Sequence, residues 1–119
     1  IDACLVGSEM CIRDSLITCA ALSVSERKKA ASIIGEKLMK SKGPTAFIMT
    51  HGGFDDWDRE GEWAFDQNAI NSFHEEMKNV LKEPVKYYEI KQNINEPEFT
   101  SLALQIFDEW LDEGLIKIN

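Results

Sequence analysis

Positive charge is scarce in this chain: 13 lysines and arginines face 21 aspartates and glutamates, a formal net charge of −8 over 119 residues. An acidic surface repels phosphate backbones, and no basic patch interleaved with aromatics occurs, so nucleic acid is excluded as a main partner. Cysteine is sparse as well, with three residues. Too few for a disulfide framework, they leave Cys19, in an apolar run, as a reduced core thiol. Long hydrophobic runs are missing: the longest, residues 16–22 (LITCAAL), is far short of the roughly 20 residues of a membrane span. It also lacks the basic flank of a signal peptide, so no membrane association and a cytoplasmic location are expected. Gly-x-Ser-x-Gly, Walker A and Gly-x-Gly-x-x-Gly do not occur, and no cysteines and histidines fall at zinc spacing, so no metal site is expected.

Present instead is a 44% hydrophobic composition, enough for one globular core. Residues 5–15, LVGSEMCIRDS, match the translation of a transposase sequencing adapter and are set apart from the fold as a non-native segment. That divides the chain into 1–15 and 16–119. The acidic character survives the division, because Asp2, Glu9, Arg13 and Asp14 together contribute −2 and leave −6.

Strand and helix signals then alternate. Ser23-Val24-Ser25-Glu26 is a capping box that opens a helix. Ala30, Ile33, Ile34, Lys37, Leu38 and Ser41 follow at helical spacing, until Gly43-Pro44 stops it. Residues 45–50 form an apolar strand. Asp66 caps a second helix with an apolar stripe at Ile70, Phe73, Met77, Val80 and Leu81. Residues 85–90, β-branched and aromatic, form a second strand. Asn95 is expected to cap a last helix with Pro97 in its first turn and a core stripe of Phe99, Leu102, Ala103, Ile106, Trp110 and Leu111. This order predicts an α/β fold: a parallel sheet of three or four strands with flanking helices, left open at one edge or more.

In α/β folds ligands sit beyond the carboxyl ends of the strands, which directs attention to the loop after residue 50, HGGFDDWDREGEWAF. His51-Gly52-Gly53 resembles the oxyanion turn of lipases, but the companion nucleophile motif is missing, which favours the reading of the glycines as a tight strand-to-loop turn over a hydrolase. Asp56-x-Asp58-x-Glu60-Gly61 resembles the start of a calcium loop. Counted from Asp56, its twelfth position is Gln67, which cannot supply the bidentate carboxylate. The Gly52 and Gly53 amides, or the helix opening at Asn95, are candidate phosphate cradles. Asp55, Asp56 and Asp58 favour a Mg²⁺-bridged nucleotide or a hydroxyl-bearing ligand over a bare phosphate. Trp57 and Trp63 are expected to lid a cleft or meet a partner domain, and Trp110 to lie in the core.

Three segments carry a family resemblance: Gly53-Phe54-x-x-x-Asp58-x-x-Gly61-x-x-x-Phe65-Asp66, then Asn93-Ile94-Asn95-Glu96-Pro97-Glu98-Phe99, and residues 26–44 ahead of both. Together they resemble the Tm-one-like ATP-binding family, which includes a plant inhibitor of tomato mosaic virus replication. The resemblance covers residues 23 onward and implies the C-terminal part of the second of two Rossmann-like α/β domains. It implies that ATP is bound mainly by a missing N-terminal domain, which would be this chain's principal partner; a homo-oligomer is the other partner class left open. Gly52 stands where relatives have arginine, Asp55 where they have serine, and Glu96 where they have aspartate.

The ligand-binding candidates are therefore Gly52, Gly53, Asp55, Asp58, Asn93 and Asn95. Asp58 and the two asparagines are expected to meet across one cleft, while the competing structural roles are an N-cap for Asn95, a turn for Asn93 and loop closure for Asp58. The function expected is binding of a small polar ligand or nucleotide together with the N-terminal domain; the alternative is a protein–protein interaction module without catalysis.

Overall fold

The computed structural model describes residues 21–118; the adapter-like segment and the Cys19 thiol lie outside them. Three helices and two strands alternate: α1 (Val24–Met39), β1 (Ala46–Thr50), α2 (Gln67–Val80), β2 (Lys86–Ile90) and α3 (Pro97–Asp112). β1 and β2 pair in parallel, with Ala46 opposite Lys86 and Thr50 opposite Ile90. The α/β class and the parallel pairing are those expected; among the described residues the sheet has two strands. Each further parallel strand needs its own crossover, and among the described residues only α2 joins one strand to another.

Local chemistry explains the elements. The Ser23 hydroxyl accepts from the Glu26 amide at 3.2 Å, and the Glu26 carboxylate accepts from the Ser23 amide at 2.9 Å, completing the capping box. These bonds, the Ser23 amide foremost, hold the Glu26 carboxyl below its ordinary range. Asp66 caps α2 by accepting from the Ala69 amide at 3.0 Å. The α2 stripe of Ile70, Phe73 and Met77 continues into Leu81 and buries against Met49, Val85 and Ala31. That core joins helix to sheet by apolar contact.

α1 departs from expectation in the face it buries. Arg27, Ala31 and Gly35 point inward, whereas Ile33 and Ile34 are exposed at 44% and 39%. Gly35 sets this: a Cβ there would lie 2.7 Å from Val80 Cγ1, so α1 and α2 approach closely along the small-residue face. α3 is looser. Only Ile106 is fully buried on its stripe, and Trp110, expected in the core, is half-buried.

Candidate functional site

Both strands end at one edge of the molecule, and the segments that follow them are laced together by main-chain bonds. The His51 amide donates to Ile90 O, the Gly52 amide to Gln92 O and the Ile94 amide to Gly53 O. Gly53 turns the chain with φ 116°, a conformation that only glycine adopts without strain. The Gly52 and Gly53 amides, candidates for a phosphate cradle, donate to Gln92 O and Thr50 O.

Asp58, 3% exposed, folds back to accept from the Phe54 amide at 2.8 Å and the Asp55 amide at 3.0 Å. Asp55 accepts in turn from the Trp57 and Asp58 amides at 2.7 and 3.1 Å. Asn93, also 3% exposed, crosses from the end of β2 and donates to Gly52 O and Asp55 O at 3.1 and 2.6 Å. Its side-chain oxygen accepts from the Asn95 amide at 2.9 Å. A Cβ placed on Gly53 would meet Asp58 Oδ1 at 2.5 Å and Asn93 Nδ2 at 2.8 Å, which measures how closely the three residues converge.

Asn95 takes another role than the one predicted. The N-cap of α3 is Glu96, without a side-chain cap bond, and Pro97 follows at the first helical position. Asn95 instead donates through Nδ2 to Asp56 Oδ1 at 3.1 Å and through its backbone amide to Asn93 Oδ1, and the helix starts one residue later than predicted. Arg59 extends the same bridge, donating to Asp56 and Glu96. Its hydrogen bond first, then that of Asn95, holds the Asp56 carboxyl below its usual range.

Arg27, on α1, is a site residue that pattern reading missed. It is 7% exposed, its Nη1 lies 3.9 Å from Asp58 Oδ2, and its guanidinium sits 5.7 Å over the Phe54 ring. Nη1 has no hydrogen-bond partner among the described residues. A cavity of ≈ 230 Å³ opens beside it, lined by Ile34, Phe54, Asp55, Asp58 and Phe73. A buried guanidinium donor without an acceptor is costly, so this corner suits a ligand oxygen. Only its helical offset from Ala31 and Gly35, the small residues of α1, could have flagged Arg27 in the sequence.

A second constellation lies on the α2 side of the same edge. His51 Nε2 is 2.9 Å from Glu89 Oε1, His74 Nε2 is 3.6 Å from the same oxygen, and the two imidazoles stand edge to face with centroids 4.6 Å apart. His74 Nδ1 bonds Tyr87 Oη at 2.7 Å. Burial, foremost, lowers the His74 pKa despite the pull of Glu89, and burial with Glu89 raises that of Tyr87. The His51 hydrogen bond lowers that of Glu89. Sequence spacing could not reveal this group: His51 and Glu89 are 38 residues apart.

The structure thus brings Gly52, Gly53, Asp55, Asp58 and Asn93 into one clasp and leaves Asn95 at its rim. Trp57 is half-buried in the loop, and Trp63 is 55% exposed. No helix among the described residues is long and apolar enough to cross a membrane.

Residues 5–111 match the profile of the C-terminal domain of the uncharacterised protein family UPF0261. A UPF0261 protein of Brucella melitensis biotype 1 is 36% identical over 101 residues, which are 85% of this chain and 24% of that protein. One of Brucella suis biovar 1 is 35% identical over the same length and shares. The chain spans about a quarter of the length of the curated relatives it matches.

Proposed function

Because the chain belongs to the UPF0261 family, as part of its C-terminal domain, we propose that it forms one wall of a ligand-binding α/β cleft in a cytoplasmic protein of the Tm-one-like ATP-binding type. The ligand is a small polar molecule or nucleotide, held together with an N-terminal domain of the same protein. The observation that carries the reading is Arg27: a buried guanidinium whose Nη1, 3.9 Å from Asp58 Oδ2, has no hydrogen-bond partner among the described residues and lies beside a cavity, at the strand edge where two loops converge. A ligand carboxylate or phosphate oxygen would supply the missing acceptor, and Phe54 and Phe73 an apolar floor. The clasp of Asp58 and Asn93 holds the loop that carries Phe54 and Asp55 against this corner. With no phosphate-cradling motif in the chain, the triphosphate is assigned to the N-terminal domain.

A second reading, a protein–protein interaction module, is favoured by the exposed apolar side chains Trp63, Leu104 and Phe107 at 55%, 59% and 42%. The two readings separate in one experiment. Small carboxylates, inorganic phosphate and nucleotides are screened by thermal shift against this chain and against the full-length Brucella melitensis relative. The cleft reading expects at least one ligand to raise the Tm of the wild-type chain and not that of Arg27→Met. A panel that shifts neither protein overturns it.

A further inference from the structure

The group of His51, His74 and Glu89 has the composition and spacing of a metal site. Each offers one ligand atom, and the three atoms lie within 4.8 Å of one another. Zinc-class bonds of about 2.0–2.1 Å place tetrahedral ligand atoms about 3.3 Å apart. The observed His51 Nε2 and His74 Nε2 distances to Glu89 Oε1, 2.9 and 3.6 Å, fall on either side of that edge.

Three elements fix it: His51 follows β1, Glu89 lies on β2, and His74 stands on α2, which packs against both strands. His74 Nδ1 lies 2.7 Å from Tyr87 Oη; in the tautomer whose Nδ1–H donates to that oxygen, His74 presents the Nε2 lone pair to the group, the outer hydrogen bond by which proteins orient metal-binding imidazoles. The side chains of His51, His74 and Glu89 are 27%, 19% and 42% exposed, so an ion has a way in and would keep water or ligand on its open positions. Lys78, 4.0 Å from the other Glu89 oxygen, is 55% exposed and free to turn toward solvent.

We propose that His51, His74 and Glu89 form a binding site for a divalent first-row transition-metal ion of the zinc class, with two imidazoles, one carboxylate and open coordination positions. The site does not use Arg27 or its cavity, and it stands whether or not the cleft reading does. It selects against Mg²⁺ and Ca²⁺, which prefer all-oxygen ligands.

The test is calorimetric titration of the chelator-treated 119-residue chain with Zn²⁺ alone, in a Cys4→Ser, Cys11→Ser, Cys19→Ser background that removes thiol ligands. One equivalent should bind, with Mg²⁺ giving no heat. His51→Gln and Glu89→Gln should each weaken binding at least tenfold, and Tyr87→Phe about tenfold, in proteins whose circular dichroism matches the parent. Co²⁺ should give the intense visible bands of a low-coordinate site, lost in His51→Gln. Loss of Zn²⁺ binding in the cysteine-free background would put the metal on thiols and overturn the proposal, as would binding that survives both His51→Gln and Glu89→Gln unchanged.

Discussion

At Gly53 a φ of 116° coincides with an absence of room: a Cβ would stand 2.5 Å from Asp58 Oδ1 and 2.9 Å from the Asp58 carbonyl oxygen. The penalties add, one for backbone strain and one for forced repacking of a buried acid. Gly53→Ala is expected to destabilise the fold by about 2–4 kcal/mol, read as a lower urea midpoint with unchanged slope. Gly52 is closed to side chains for a different reason, since its Cβ would meet the Asn93 amide nitrogen at 2.5 Å. Loop closure by Asp58 and a turn at Asn93 were legible as structural roles, and the bonds to the Phe54 and Asp55 amides and from the Asn95 amide match them; the burial of both side chains was not legible.

Among the elements, α1 and α3 begin in contrasting ways. The α1 cap is local and reciprocal, so Ser23→Ala should cost about 1 kcal/mol, measured by chemical denaturation. The start of α3 is held from outside, by Asn95 and Arg59 reaching to Asp56 and Glu96. This bridge gives the molecule a specific acid sensitivity. The Asp56 carboxyl is lower in the fold than its ordinary value of 3.8, so the unfolded chain binds the proton more readily, and stability rises with pH across that window. The Asp56 contribution is present above about pH 4 and is lost as pH falls through its folded value. The stability gap between wild type and Asp56→Ala should accordingly be open at pH 6 and narrow toward pH 3, with urea denaturation at the two pH values as the check. Because Asp56 is solvent-exposed, salt should shrink the same gap.

On the scale of the whole molecule, one edge gathers the glycine turn, the Asp58–Asn93 clasp, the Arg27 cavity and the histidine pair. None of these is a nucleotide cradle, and the two glycine amides are committed to carbonyls. The isolated chain should therefore bind Mg-ATP more weakly than about 10 μM, roughly −7 kcal/mol. Calorimetry that finds tighter binding would move the nucleotide site into this chain. Ile33 and Ile34 on α1, and Leu104 and Phe107 on α3, are exposed.

Short-range chemistry was determined by the sequence alone. A hydroxyl three residues before a carboxylate caps α1, an aspartate caps α2, and two apolar runs joined through a helix pair in parallel, because these depend on spacings of a few residues and on strand periodicity. Tertiary structure decided what depends on approach between distant segments. Gly35 meets Val80 and turns the large isoleucines of α1 outward, Asn95 yields its cap to a bond with Asp56, and Arg27 is carried under the loop beside Asp58. His51, His74 and Glu89, with no motif to mark them, meet only because a parallel pair and its crossover helix bring a strand end, a strand and a helix face to one point. Sequence spacing measures distance along the chain, and the chemistry of this site depends on distance across it.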